Sequence, residues 1–334
     1  MKNQLLITHY SLLVEKKNLL AFSHGLDSTA LYHLLSEAQI DFDIALVNYG
    51  MREQAKEEET AAGELAARDG RRIFVAHAPR WQSGFEARAR KFRYGFFESL
   101  IEEHGYENLL TAHQLNDRLE WMMMRLIRGA GAAELAGMAA VSDRHTPGGR
   151  PYRLLRPLLE TPRHVLEAYL KERKLAWFHD ESNDTRRYER NRLRPLLEPL
   201  VREYSHGIRR SFGYLERDTE ILSGQYEPIY AHGPLRICRI HDRKIASTAA
   251  ARVLKELGTL LGGAERKMLD EKNSIVARRK WAVELYGGYL YIAPYVTELP
   301  MPKSFKEACR VRKIPPKVRP WIYRAGIDPK NLPM

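Results

Sequence analysis

The sequence predicts an α/β fold built on a doubly wound parallel sheet, and two observations carry that prediction. Up to Gly129, short apolar runs alternate with longer segments of helical periodicity, an order typical of parallel sheets covered by helices on both faces. In the last third, strand-like runs mix with amphipathic helices, which predicts a second, smaller mixed α/β domain. We expect residues 1–200 to form the sheet domain with a helical extension, 201–226 a helical connector and 227–334 the smaller domain.

Each predicted strand of the large sheet is followed by a predicted helix. The strands are NLLAF (18–22), DIALVNY (43–49), RIFVAHA (72–78) and NLLTAH (108–113). The helices cover residues 28–38, 53–69, 85–104 and 115–128. Ligands of such sheets bind at the carboxyl ends of the strands. Residues 23–29, 48–52, 77 and 113–117 are therefore expected to be neighbours.

Beyond Gly129 the pattern changes to turns and helices. Thr161 is expected to be the N-cap of a helix that opens at Pro162, and another helix is expected over 205–224. Proline and glycine residues in the segment 228–234 predict a linker there. The last domain is expected to contain the strands LRICRI, WAVELY and YLYIAP and helices over 245–257 and 303–312.

Composition limits the partners and the compartment. Lys+Arg 54 against Asp+Glu 42 gives a net charge of +12, which favours a polyanionic partner, although charge alone does not separate nucleic acid from an anionic membrane or from an ordinary basic surface. The two cysteines, Cys238 and Cys309, form no metal box or disulfide framework and predict a reducing cytoplasm. A signal-peptide core and apolar runs of membrane-spanning length are both missing, so we expect no membrane contact.

The first candidate site is the stretch SHGLDS, residues 23–28, which leads from a buried strand into a helix. Backbone N–H groups at a helix start, with the hydroxyls of Ser23 and Ser28 and a permissive Gly25, can hold a phosphate. Asp27 would repel that phosphate unless a cation lay between them, which implies Mg²⁺. The alternative is an ordinary capped helix, and no Walker lysine follows.

A second candidate lies on the helix after the fourth strand. His113, Asp117 and Glu120 share one helical face, and Arg128 returns to it three turns after Asp117. The two carboxylates could ligate Mg²⁺ and position an amine, and Asn116 accompanies them. A solvated polar stripe is the alternative, and a zinc site would lack a soft third ligand.

Three basic segments could contact phosphate or RNA, although each could also be a solvated surface. One is the helix over 85–97, with Arg93 next to Tyr94. Another is the segment over 179–200, where Asn183, Arg190 and Arg194 could edge a substrate site. In the tail, Lys313, Lys317 and Arg319 stand among aromatic residues that could stack on bases.

Taken together, these stretches resemble the tRNA(Ile)-lysidine synthetases, a family of PP-loop, or N-type, ATP pyrophosphatases. SHGLDS resembles the SGGxDS loop of the superfamily, which has an adenine nucleotide alpha hydrolase-like fold. The stretches VNYGMR, FEARARKFRY, AHQLNDRLE, RLIRGAGAAELAGM, RPLLETPRHVLEAYL and HDESNDTRRYERNRLR match the family's motifs in order, and FKEACRVRKIPPKVR resembles its C-terminal end. Residues 227–300 match no motif.

The resemblance implies ATP-dependent transfer of free L-lysine to carbon 2 of the wobble cytidine in a tRNA(Ile) with a CAU anticodon. Carried over by motif, the ATP-binding residues are Ser23, His24, Gly25, Leu26, Asp27, Ser28 and Arg93. The catalytic residues are Asp27, Asp117, Glu120 and Arg128, with Asp27 and Asp117 on Mg²⁺. Lysine or cytidine would be bound by His113, Asn116, Asn183, Arg190 and Arg194, and tRNA by Lys313, Lys317 and Arg319.

The sequence departs from the family's motifs at four positions beside the expected site: His24, Tyr49, Asn116 and Trp121. Three alternatives follow. A PP-loop tRNA thiolase would need paired cysteines, and a ligase of small metabolites would not explain the basic tail. A tRNA-binding protein with impaired catalysis is the third. A homodimer is left open.

Overall fold

The computed structural model describes residues 7–50, 54–81, 83–178, 189–297 and 299–333. The chain forms two compact units. The first comprises Met1–Glu120 and Met138–Arg209, and the second comprises Trp121–Gly137 and Arg210–Met334. Each unit is built around its own sheet. The three-part division at residues 200 and 226 stays a prediction.

The sheet of the first unit is mainly parallel, as predicted. Its strands are β1 (Asn18–Phe22), β2 (Phe42–Asn48), β3 (Ile73–His77), β4 (Asn108–Leu110), β5 (Val141–His145) and β6 (Pro151–Leu155). They lie in the order β3-β2-β1-β4-β6-β5, and only the β5–β6 pair in it is antiparallel. The α/β fold class is therefore confirmed.

A helix follows each of the first four strands. These helices are α1 (Leu26–Glu37), α2 (Gln54–Arg68), α3 (Phe85–His104) and α4 (Leu115–Leu126). From β1 the chain proceeds to β2 on one side, whereas β4 lies on the other side of β1. The carboxyl ends of β1 and β4 consequently border the crevice that doubly wound sheets use for ligands.

Apolar sequence explains why β1 is central. Leu20 is fully buried and is in register with Ile44 on one side and Leu110 on the other. The core on one face of the sheet includes Tyr32 and Leu34 of α1, both almost fully buried. This packing fixes where β1 ends and α1 begins, and so positions the loop between them.

Two further helices complete the described part of the first unit. Helix α6 covers Arg163–Glu172, and its N-cap is Pro162 rather than the predicted Thr161. Helix α7 covers Glu189–Ser223, with a bend at Tyr204, so it joins the arginine-rich segment to the helix expected over 205–224. Helices α4 and α7 each begin in the first unit and end in the second.

The second unit contains an antiparallel sheet. Its strands are β7 (Tyr226–His232), β8 (Leu235–Ile240), β9 (Ser274–Ala277), β10 (Trp281–Tyr286) and β11 (Tyr289–Pro294), in the order β7-β8-β11-β10-β9. The predicted linker around Pro228 and Gly233 was wrong, because Pro228 lies inside β7 at an irregularity and Gly233 forms the turn to β8. An irregular edge strand tolerates proline.

The helices of the second unit are α5 (Ala132–Leu135), α8 (Ala246–Glu256), α9 (Gly263–Lys272), α10 (Lys303–Val311) and α11 (Arg319–Arg324). The glycine-rich segment before α5 packs against α9, where a Cβ on Gly263 would lie 2.9 Å from the backbone oxygen of Gly129. Glu134 of α5 forms an almost fully buried ion pair with Arg266 of α9. Within the described ranges, no helix combines the length and hydropathy needed to cross a membrane.

Candidate active site

The β1–α1 loop is organised by its two serines. Ser28 Oγ donates to the backbone oxygen of Gly25 at 3.1 Å and accepts from the backbone N–H of Ser23 at 3.3 Å. The hydroxyls of Ser23 and Ser28 are 3.2 Å apart. These contacts fold the loop around the N-terminus of α1, where backbone N–H groups and the helix dipole favour an anion.

His24 gives this loop its unusual feature. Its backbone φ is +55°, in the left-handed region where glycine is favoured. The imidazole is turned into the protein, with ring centroids 5.2 Å from Phe22 and 5.1 Å from Phe178, and is only 7% exposed. Burial lowers the pKa of His24, although the backbone of Glu58 opposes the shift. The imidazole therefore acts as a packing group in this loop.

Asp27 follows the loop at the start of α1. Burial raises the pKa of Asp27 to about 7, the charge of Asp117 adds to the shift, and Arg163, Arg194 and Arg190 oppose it. Its Oδ1 atom is buried and accepts no hydrogen bond from any described residue. A carboxylate with a buried and unpartnered oxygen is prepared for a cation.

Asp117 and Glu120, on the first turns of α4, are neutralised by two arginines of α7. Arg190 donates from Nε to Glu120 Oε2 at 2.5 Å and from Nη2 to Asp117 Oδ1. Arg194 donates from Nε to Glu120 Oε1 at 3.0 Å, and the backbone N–H of Gln114 donates to Asp117 Oδ2 at 3.0 Å. Burial disfavours the charged form of Arg190. The charges of Asp117 and Glu120 have the larger effect, so the pKa of Arg190 is raised.

Two other predicted residues of this region have distinct environments. His113 Nδ1 is 2.9 Å from Thr111 Oγ1, and burial together with the charges of surrounding arginines lowers the pKa of His113 to about 3. The imidazole is therefore neutral near pH 7. Asn116 Oδ1 accepts the backbone N–H of Arg163 at 3.1 Å, so this side chain caps α6.

These elements surround a cavity of about 350 Å³, a size suited to a nucleotide-sized ligand. Among the predicted residues, the cavity is lined by Ser23, Gly25, Leu26, Asp27, Ser28, Arg93, His113, Asp117, Arg190 and Arg194. His24, Asn116 and Glu120 are described but do not line it. The contacts bring the loop, α4 and α7 together at the β1/β4 crevice, as the strand order requires.

Several lining residues escaped the sequence analysis as site candidates. They are Arg163, Trp177 and Phe178. Tyr49 and Gln114 also line the cavity, and both lie in the ranges 48–52 and 113–117 that the strand ends predicted to be neighbours. The segment with Trp177 and Phe178 carries no such signal, and it reaches the site because Phe178 N–H donates to the backbone oxygen of His24 at 2.9 Å.

The remaining predicted residues are not among the described residues that line the cavity. Arg128 belongs to the second unit, and Asn183 lies outside the described residues. In the tail, Lys313 is exposed, Lys317 Nζ donates to Ser274 Oγ at 2.8 Å, and Arg319 Nε donates to the backbone oxygen of Ile314 at 2.8 Å.

The donor set fits Mg²⁺ better than a metal held by protein alone. No group of three or more His, Cys, Asp or Glu side chains that could hold a metal occurs in the part of the chain the structure describes. Mg²⁺ is usually held by one or two carboxylates together with substrate phosphates. The unpartnered oxygen of Asp27, with Asp117 close enough to shift its pKa, meets that requirement.

A parallel sheet whose first strand leads through an S-x-G-x-D-S loop into a helix defines an ATP-using protein of the PP-loop class. A family model described as a PP-loop domain matches residues 2–201. The chain is 42% identical over 323 residues to the tRNA(Ile)-lysidine synthase of Campylobacter jejuni, covering 96% of this chain and 97% of that one. It is 43% identical over 314 residues to the enzyme of the same name from Wolinella succinogenes, covering 93% and 94%.

The chain belongs to the tRNA(Ile)-lysidine synthase family and is accordingly an ATP-using ligase. A solved structure, the U34-tRNA thiolase of Methanococcus maripaludis with its [4Fe-4S] cluster, is 18% identical with a TM-score of 0.50 and covers 64% of this chain and 76% of its own. That likeness concerns the fold alone.

Proposed function

We propose that this protein uses ATP to adenylate the wobble cytidine of a tRNA(Ile) with a CAU anticodon and then joins free L-lysine to carbon 2. The observation that carries the proposal is the shared cavity of Asp27 and Asp117, which places an anion loop opposite a carboxylate and arginine cluster. The identity of the tRNA substrate is inferred from the names of the relatives.

In the first step, the oxygen on carbon 2 of the cytosine attacks the α-phosphorus of ATP, and pyrophosphate leaves. The loop residues Ser23, His24, Gly25, Leu26 and Ser28 bind the phosphates, His24 through its backbone alone. Arg93, which lines the cavity, offsets the charge that develops on the phosphates. This step places a good leaving group on carbon 2.

Mg²⁺ would be held by Asp27 and Asp117 and would neutralise phosphate charge. The chain's own contribution is to keep Asp27 buried with one oxygen unpartnered, while Arg163, Arg190 and Arg194 limit the rise in its pKa. Both features organise the site before ATP arrives, which is how an enzyme avoids reorganisation during the reaction.

In the second step, an amine of lysine attacks carbon 2, AMP leaves, and the amine loses a proton. Asp117 attracts the ammonium group of lysine and Arg190 and Arg194 attract its carboxylate, while Glu120 holds these two arginines in place. His113 is neutral and can hydrogen-bond the base. Arg128, Asn116 and Asn183 complete the proposed catalytic and binding set on the strength of the motifs that contain them.

The wider assignments rest on composition and on the relatives. We assign catalysis to residues 1–200, a connecting role to 201–226 and tRNA binding to 227–334, with Lys313, Lys317 and Arg319 as contacts. Both cysteines are free and buried, which fits the cytoplasm. The proposal leaves open whether the protein is a monomer or a homodimer, which a measurement of the oligomeric state would decide.

Sulfur transfer is disfavoured by those same cysteines. Cys238 and Cys309 belong to different core clusters, and burial raises their pKa values to about 12 and 11. A sulfur carrier must present an accessible thiolate. Neither cysteine meets this requirement, so we favour lysine transfer over thiolation.

The test combines the protein with ATP, Mg²⁺, lysine and a CAU-anticodon tRNA(Ile) transcript. AMP release and a lysine-sized mass increase on the anticodon fragment are expected. Omitting lysine should leave pyrophosphate release from the first step and stop the mass increase. Intact tRNA binding without AMP would instead support the impaired, binding-only alternative.

A further inference from the structure

Two arginines contact Tyr94 in the first unit, and a third interacts electrostatically with all three groups. The guanidinium carbon of Arg90 is 4.7 Å from the centre of the Tyr94 ring, and that of Arg144 is 5.5 Å from it. Arg156 is close enough that the charges of Tyr94, Arg144 and Arg90 all affect its pKa. Two cations from α3 and β5 therefore contact one aromatic ring, and a third, just after β6, is affected by the charges of both arginines and of the tyrosine.

None of these three arginines has a carboxylate among the described residues within 4.0 Å. The contrast with Arg153 is direct, because Arg153 stands on the neighbouring strand and pairs with Asp143 at 3.5 Å. Unpaired cations held together repel one another, and that repulsion costs free energy unless an anion binds.

The nearby acid Glu98 is engaged through a different group. Its Oε1 accepts the hydroxyl of Tyr152 at 2.9 Å, and Tyr152 is also the group that Arg144 contacts. The carboxylate is thus separated from the guanidinium by a tyrosine. Counting only the residues that the structure describes, the cluster keeps a net positive charge.

Arg156 shows that the cluster is held in place by the surrounding structure. It is only 5% exposed, its Nη1 donates to the backbone oxygen of Ala139 at 2.5 Å, and its Nε has no hydrogen-bond partner in the described ranges. Burial, with smaller effects from Arg144 and Arg90, lowers its pKa to about 10. A buried guanidinium with a spare donor is unusual unless a ligand completes it.

We propose that Arg90, Arg144 and Arg156 form a phosphodiester-binding site for the RNA substrate. The inference rests on the proposed function for its substrate. Arg90 is exposed and Arg144 half-buried, so both can reach a ligand, while Arg156 supports them from below. Guanidinium groups suit phosphate because they donate two parallel hydrogen bonds.

The position of Tyr94 favours RNA over the phosphates of ATP. Tyr94 also lines the cavity, so the cluster lies beside the space that a reacting base must enter. A base that leaves its stack to enter a pocket keeps its flanking phosphates outside. The β1–α1 loop is the proposed site for the phosphates of ATP, which leaves the arginine cluster for the flanking phosphates of the RNA.

The test measures binding of the CAU-anticodon tRNA(Ile) transcript by fluorescence anisotropy over a series of NaCl concentrations. Arg90→Gln and Arg144→Gln should each weaken binding about threefold to tenfold and reduce the salt slope by about 0.7–0.9. Arg153→Gln is the matched control and should leave both unchanged. Affinity for a non-hydrolysable ATP analogue should stay the same in all three variants.

An unchanged salt slope in the Arg90→Gln, Arg144→Gln double variant would overturn the inference. A loss of affinity for the ATP analogue or pyrophosphate, with tRNA binding intact, would assign the cluster to polyphosphate and overturn it as well. Lysidine formation by the unaltered protein is measured in parallel. Product with unchanged slopes would reject only this inference, and altered slopes without product would reject only the proposed function.

Discussion

Arg190 and Glu120 form the central contact of the site, with Arg190 Nε donating to Glu120 Oε2 at 2.5 Å. Glu120 is 1% exposed, and the same guanidinium also donates to Asp117. A buried carboxylate is stable only while a cation accompanies it. The contact therefore joins α4 to α7 as well as balancing the charge of the site.

Replacing Arg190 by alanine should lower the free energy of unfolding by about 1–3 kcal/mol, less than for a fully buried pair because the Arg190 side chain is 40% exposed. Urea denaturation would measure this change. Arg192→Ala, at an exposed position of the same helix, serves as the control and should change stability by less than about 0.5 kcal/mol. Equal effects of the two substitutions would show that the ion cluster adds nothing to folding.

Asp27→Asn should abolish AMP formation and yet stabilise the free protein. The pKa of Asp27 is about 7 in the folded chain against an ordinary 3.8, so the unfolded state releases this proton more readily. The ionised group therefore weakens folding, and the penalty grows from about pH 4 and is complete above about pH 7. At about pH 8 the variant should gain about 1–3 kcal/mol, and the gain should vanish near about pH 4.

Asp43→Asn is the matched comparison for Asp27→Asn, with the opposite sign. Burial opposes ionisation there too, but hydrogen bonds from Arg72 and Tyr106 outweigh it and lower the pKa of Asp43. That variant should lose stability at about pH 8. Thermal unfolding of both variants across the pH range would measure these stability changes. A change of the same sign in both variants would contradict the opposite pKa shifts of Asp27 and Asp43.

His24→Gly should change ATP affinity by less than about threefold, because the imidazole points away from the cavity. Glycine removes a left-handed strain of about 1–2 kcal/mol, and the lost ring packing against Phe22 and Phe178 offsets it. His24→Ala keeps the strain and loses the packing, so it should be the less stable of the two. Calorimetric ATP titration and thermal unfolding measure both effects. A large loss of affinity in the glycine variant would mean that the imidazole contacts nucleotide.

Lys313→Glu should weaken tRNA binding and flatten its salt dependence without changing stability, because Lys313 is exposed. Arg319→Glu should also lower the melting temperature, since its guanidinium holds the backbone oxygen of Ile314. Binding at several salt concentrations, together with thermal unfolding, separates the two effects. If Lys313→Glu binds tRNA with the salt slope of the unaltered protein, this part of the tail makes no RNA contact.

The sequence was sufficient for those features that depend on local pattern. Helix α3 begins and ends at the predicted residues 85 and 104. The strand ends correctly predicted that Ser23, Tyr49 and His113 line one cavity, but His77, predicted with them, does not line it and contacts Glu59 instead. The sequence did not predict contacts between residues that are distant in the chain. Nothing local relates Phe178 to His24, although the hydrogen bond between their backbones shapes the loop.

Two predictions from local sequence rules were wrong, one at a proline and one at a threonine. The sequence predicts a linker at Pro228, yet an edge strand with an irregular register accommodates its missing N–H group. Thr161 was expected to cap α6, but its neighbour Pro162 is the N-cap, and Asn116 from α4 supplies the missing acceptor for Arg163 N–H. A cap supplied by a residue far away in sequence gives no local signal.

The packing of the glycine-rich segment has a practical consequence for dissecting this chain. Because Trp121–Gly137 folds with Arg210–Met334, the second unit is discontinuous in sequence and no single cut releases either unit whole. A fragment ending at residue 201, the extent of the matched PP-loop domain, would keep Glu134 without Arg266 and expose the surface that Gly263 covers. Such a fragment should aggregate unless that segment is shortened or redesigned, so the boundaries of a truncation must follow the packing of the chain.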